Sequence, residues 1–155
     1  MLKLLCVILI SINLYADLGK IVNVVDGDTV DILKSNGFVF RARLAYIDTM
    51  ESKRNAKLKK DVKKYKVIDY KLLHMGLVAK EYVVDNYLNK YVVYHIISKG
   101  RYHRAITYIK NLNIELLKLG YAKIYNYKDK YSKEYLLKYE NEAKSKHIGI
   151  WRYIK

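Results

Sequence analysis

The chain has 155 residues, 52% apolar and 29% charged, and its 30 Lys and Arg against 15 Asp and Glu give a formal net charge of +15. That length and apolar content suit one globular domain with its own core and exclude a disordered polyelectrolyte. The lone cysteine, Cys6, excludes an internal disulfide and a thiolate metal cluster, while the positive excess draws polyanions: nucleic acid, acidic lipid or acidic polysaccharide.

Residues 1–16 read as a secretory signal peptide. Lys3 is the basic start, Leu4 to Leu14 the apolar run, and Ala16 the small residue before a cut ahead of Asp17. The run is too short to span a bilayer. The expected product is one domain, 17–155, exported to a periplasm or the medium, with a membrane partner only if the segment stays uncleaved. Gly19–Val25 and Thr29–Leu33 then predict a hairpin around Val25-Asp26-Gly27-Asp28-Thr29, since Asp-Gly favours a tight turn. Period 2 puts Asp28 on the face of Val30 and Ile32. A carboxylate there sits at the mouth of the core, where it needs a cation unless the stretch is a plain acidic hairpin.

Phe38 to Ile47 is the longest alternating run. Phe38, Phe40, Ala42, Leu44 and Tyr46 form the candidate core face; Val39, Arg41, Arg43, Ala45 and Ile47 form the other. Residues 52–66 are basic, with six lysines against one aspartate over 57–66, and read as a solvated loop or helix face or, over Lys57–Lys66, as a nucleic-acid contact. Helical spacing predicts a helix over Tyr70–Leu88, with Gly76 as its weak point. Tyr91–Ile97 and Arg104–Ile109 read as strands, and 121–127 as irregular or short strand. Asn111 or Asn113 can cap a helix through Leu119, and Ser132 can cap a last one to Lys146. Strands in a three-then-two order with a helix between suggest an α+β fold on a small Greek-key barrel of the OB type.

The polar residues Asp26, Asp28, Arg43, Asp48, Thr49, Glu51 and Arg104 form a constellation with chemical meaning. Carboxylates and carbonyls suit hard divalent cations such as Ca2+ or Mg2+. Asp28 begins one strand and Asp48 ends another, so both can reach one barrel mouth. Arginine matches phosphate with a fixed, permanently charged fork. Metal, a spare carboxylate and arginines together describe phosphodiester hydrolysis. Strict alternation puts Arg43 opposite Tyr46 and Asp48, so either the strand bends near its end or Arg43 misses the site.

Val25-Asp-Gly-Asp-Thr29, then Arg43-Leu-Ala-Tyr-Ile-Asp48-Thr-Met-Glu51, then Tyr102-His-Arg104-Ala-Ile-Thr-Tyr108 resemble the thermonuclease (staphylococcal nuclease-like) family in order and spacing. Leu119-Gly-Tyr-Ala-Lys123 and Ile150-Trp151 resemble its closing part, so the similarity runs from about Gly19 to Trp151. The resemblance implies a five-stranded OB-fold barrel with three α-helices and a monomeric, Ca2+-dependent nuclease acting on DNA and RNA to leave 3′-phosphate ends. It implies that Asp28, Asp48 and the Thr49 carbonyl ligate Ca2+, with Asp26 behind them. It further implies that Glu51 is the general base or orients the attacking water, that Arg43 and Arg104 hold the phosphate, and that Tyr102 lies along the nucleotide. Met50 stands where the family usually has proline, and His103 where it has glycine.

Overall fold

The structure is a computed structural model that describes residues 17–100, 104–125 and 130–154. The N-terminal segment 1–16, Tyr102, His103 and Tyr127 lie outside the described residues. Strands β1 (Asp17–Asp26), β2 (Thr29–Lys34), β3 (Val39–Leu44), β5 (Tyr91–Lys99) and β6 (Ala105–Tyr108) close a barrel in the order β1-β2-β3-β6-β5. Every neighbouring pair is antiparallel except β3 and β6, which run parallel. Two further short strands, β4 (Ile47–Thr49) and β7 (Ala122–Ile124), pair with each other beside the barrel. The α+β barrel class matches the expectation from sequence.

Alternation fills the barrel. Ile21, Val30, Ile32, Ala42 and Leu44 point inward and are fully buried, and burying each of the chains larger than alanine contributes roughly 1.5–3 kcal/mol. Helix α2 (Asp69–Tyr87) packs on β1 and adds Val83 to the barrel core, and α3 (Lys110–Lys118) closes the core with Leu112, Leu116 and Leu117. A second, smaller core lies under α1 (Ala56–Tyr65), α2, α4 (Lys130–Ser145) and a short 3-10 turn (Gly149–Arg152). Met50, Leu58, Leu72, Ile150 and Trp151 fill it.

Four readings from sequence need correction in detail. The run from Phe38 to Ile47 is not one strand. It breaks at Ala45-Tyr46, where Tyr46 takes a left-handed φ of 64°, a conformation that costs a non-glycine residue about 1–3 kcal/mol unless its surroundings hold it. They do: the Ala45 N–H donates to Thr107 O at 2.8 Å, Asn113 Nδ2 donates to Ala45 O at 2.7 Å, and Tyr125 N–H donates to Tyr46 O at 2.8 Å. Phe38 is 60% exposed rather than core, because the ladder with β2 ends at Val39. Three helices become four, since the basic segment contains α1: Asn55 caps it by accepting from Leu58 N–H at 2.9 Å, and Leu58 anchors it in the second core. Neither Asn111 nor Asn113 caps α3 by preceding it; Asn113 sits inside the helix, buried, and accepts from Ile109 N–H at 3.1 Å.

Candidate functional site

One mouth of the barrel opens into a cleft of about 890 Å3, lined by Asp26, Asp28, Arg43, Asp48, Glu51 and Arg104 among others. The expected constellation therefore converges. The turn between β1 and β2 supplies Asp28. A Cβ on Gly27 would lie 2.8 Å from Ala79 Cβ and 3.0 Å from Thr49 Oγ1, so only glycine lets the turn seat this close to α2 and β4. The seated turn buries Asp28 at 4% exposure. Its carboxylate accepts from Thr49 N–H at 2.9 Å and from Thr29 Oγ1 at 3.0 Å. Its carbonyl accepts from Leu44 N–H at 2.8 Å.

The break at Tyr46 settles whether Arg43 reaches the site. Beyond it β4 turns back across the mouth, and Asp48 comes to the Arg43 side. Arg43 then forks, with Nη1 on Asp28 and Nη2 donating to Asp48 Oδ1 at 2.7 Å. Asp48 also receives Lys57 Nζ at 3.1 Å and Lys123 Nζ from β7. Burial alone pushes the Asp48 carboxyl up, but Lys123, Lys57 and Arg43 outweigh it and hold the carboxyl down at about 2. Lys57 shows the complementary balance: burial works against its charge, while Asp48 and Glu51 raise its pKa above the ordinary lysine value.

Glu51 follows β4 on a loop whose backbone lies against α2. A Cβ on Gly76 would stand 2.1 Å from the Glu51 carbonyl oxygen, so the apparent weak point of the helix is the seat of Glu51. Met50, where proline was expected, is fully buried in the second core and anchors the loop by packing. The Glu51 carboxylate accepts from Asn55 Nδ2 at 2.5 Å and from Lys57 Nζ at 2.8 Å. Start of α1 and candidate base are thus tied together. Asp26 folds onto its own turn, accepting from Gly27 N–H at 2.9 Å. Burial raises its pKa, with Glu51 adding to the rise against the hydrogen bonds from Gly27 and Ser52. Arg104 lines the same cleft from the entry to β6.

Reading the sequence missed Lys57, Lys123 and Asn113. Lys57 was hidden in a lysine run, although Asn55 three residues before Leu58 is a legible cap. Lys123 and Asn113 act across the fold and carry no local signal.

Among the described residues no three His, Cys, Asp or Glu side chains gather as a metal-holding group. The donor set here is narrower: the Asp28 and Asp48 carboxylates and the Thr49 carbonyl. Thr49 O and Asp48 Oδ1 each lie 3.1 Å from one cationic nitrogen, Lys57 Nζ, so these oxygens already face a positive charge. An all-oxygen set of this size fits a hard divalent ion whose shell is completed by water.

A family model described as staphylococcal nuclease homologue matches residues 41–153. A micrococcal nuclease of Shigella flexneri is 30% identical over 146 residues, covering 94% of this chain and 80% of that protein. An uncharacterized protein of Methanocaldococcus jannaschii is 35% identical over 152 residues, covering 87% of this chain and 72% of its own length. Protein ParB of Escherichia coli is 25% identical over 161 residues, covering 95% and 80% respectively.

Proposed function

The chain belongs to the family of staphylococcal nuclease homologues and is a nuclease, and from that premise we propose an exported, monomeric, Ca2+-dependent enzyme that hydrolyses DNA and RNA to 3′-phosphate ends. The observation that carries this reading is the convergence of Asp28, Asp48, Arg43, Glu51 and Arg104 on one cleft. Asp28, Asp48 and the Thr49 carbonyl hold the ion, with Asp26 bracing the turn. When bound, Ca2+ supplies Lewis-acid polarisation of a phosphoryl oxygen. Arg43 and Arg104 grip the phosphate and offset the charge that builds on its oxygens in the transition state. Glu51 takes the proton of the attacking water or orients it. The water oxygen bonds to phosphorus and its proton passes to Glu51 or to solvent; the bond from phosphorus to the 5′ oxygen breaks, and that oxygen takes a proton from solvent and leaves as a hydroxyl. Among the described residues no helix is long and apolar enough to cross a membrane; export rests on residues 1–16 being removed.

Plasmid and RNA digestion with Ca2+, and with a chelator in its place, tests the reading. Cutting with Ca2+ only, and ends that polymerase extends only after phosphatase treatment, are expected. Folded protein that cuts equally well in chelator would remove the metal from the reading.

A further inference from the structure

Lys57 does more in this structure than neutralise a surface. Its ammonium has three donors, and they meet Glu51 Oε1 at 2.8 Å, Thr49 O at 3.1 Å and Asp48 Oδ1 at 3.1 Å. Two of these oxygens belong to the set assigned above to the ion, and the third to the candidate base. An ammonium and a divalent ion cannot share those oxygens, since like charges a few ångströms apart repel strongly in a partly buried site. A second observation shows where the ammonium can go. Asp61, one turn further along α1, is buried, and its Oδ2 has no hydrogen-bond partner among the described residues. That carboxylate lies 3.9 Å from Lys57 Nζ. A buried carboxylate oxygen with an ion pair this long and no hydrogen bond is costly, and rotation of the Lys57 side chain would satisfy it without moving α1.

We propose that Lys57 is a tethered cation that occupies the divalent-ion position until the ion arrives, and that Asp61 receives the ammonium when it leaves. The inference rests on the metal reading above. Its consequence is a site that keeps its carboxylates neutralised when empty of metal and binds metal at reduced apparent affinity, because only the lysine-out form is competent. Lys57 holds Glu51 or releases it according to the same exchange, so loading the ion removes one of the two donors on the candidate base while Asn55 keeps its bond.

Calorimetric titration of CaCl2 into chelator-treated full-length protein tests this, with Ca2+-induced shifts in Tm as a second readout. Lys57→Met is expected to bind Ca2+ about tenfold or more tighter than wild type, the factor by which competition taxes affinity, and to show a larger Ca2+-induced rise in Tm. Lys60→Met removes the same charge from an exposed position on the same helix and is expected to change affinity far less. Asp61→Asn is expected to weaken Ca2+ binding, because the displaced ammonium loses its counter-charge. Equal or weaker binding by folded Lys57→Met, or an equal gain from Lys60→Met, would overturn the proposal while leaving the metal reading intact. If Lys57→Met does not fold without metal, unchanged affinity in Asp61→Asn overturns it. Failure of wild type and all variants to bind Ca2+ would overturn both.

Discussion

Arg41 and Arg43 lie on one face of β3, and each meets an aspartate of the neighbouring hairpin. Arg41 grips Asp31 with two hydrogen bonds, at 2.8 and 3.0 Å. Arg43 forks between Asp28 and Asp48. The chemistry is the same, yet the Arg41 side chain is 47% exposed and that of Arg43 is 17%. What differs is the cover. Asp48 of β4 meets Arg43 and gathers Lys57 of α1 and Lys123 of β7 beside it, while Arg41 faces water along the strand. An exposed pair is screened and contributes under about 1 kcal/mol. A covered cluster of two carboxylates and three cations is interdependent, and removing one member strands its partners.

The largest test of this contrast concerns the group that the mouth cluster positions. Glu51→Gln is expected to lower kcat by roughly 10²–10⁴-fold, the range for losing a general base, with nucleic-acid binding retained in a filter or anisotropy assay. Wild-type turnover would take Glu51 out of the mechanism. Next, Asp48→Ala is expected to cost about 3–5 kcal/mol in urea unfolding, as for breaking a buried pair, against under about 1 kcal/mol for Asp31→Ala. Equal losses would erase the distinction between the two regions. Arg43→Lys keeps the charge but loses the fork, and kcat is expected to fall about 10²-fold, as when one transition-state donor is removed; Arg41→Lys should stay near wild type.

The smallest effect is in acid. The Asp48 carboxyl, held at about 2 against an ordinary 3.8, contributes stability that is complete above the ordinary value and lost as pH falls toward 2. In chelator, Asp48→Asn should flatten the acid limb of a melting-temperature profile between about pH 4 and 2. Asp31 is lowered too, chiefly by its hydrogen bond from Arg41, but it is less buried, so Asp31→Asn should flatten that limb less.

Much of the contrast was legible before any coordinates. Period-2 alternation put Val30 and Ile32 inside and drew attention to Asp28 beside them, and motif order joined Asp48, Glu51 and Arg104 to it. The limit came at Ala45-Tyr46. Nothing local marks a tyrosine for a left-handed backbone; Asn113, 68 residues beyond Ala45, helps to hold it there. Strict alternation therefore put Ala45 and Ile47 on the wrong face, though both are buried, and left Arg43 unassigned. Lys57 was invisible for a different reason: one lysine among six looks like solvated charge until Leu58 buries the helix that carries it.

Sequence by itself determined the barrel, the family and the residue types at the mouth, because periodicity and motif spacing are local records of which side chains face inward. Tertiary structure decided which arginine is covered, which lysine enters the site and why a glycine, Gly76, stands inside a helix. Those depend on close approach between segments far apart in the chain, and only packing brings them within hydrogen-bonding distance.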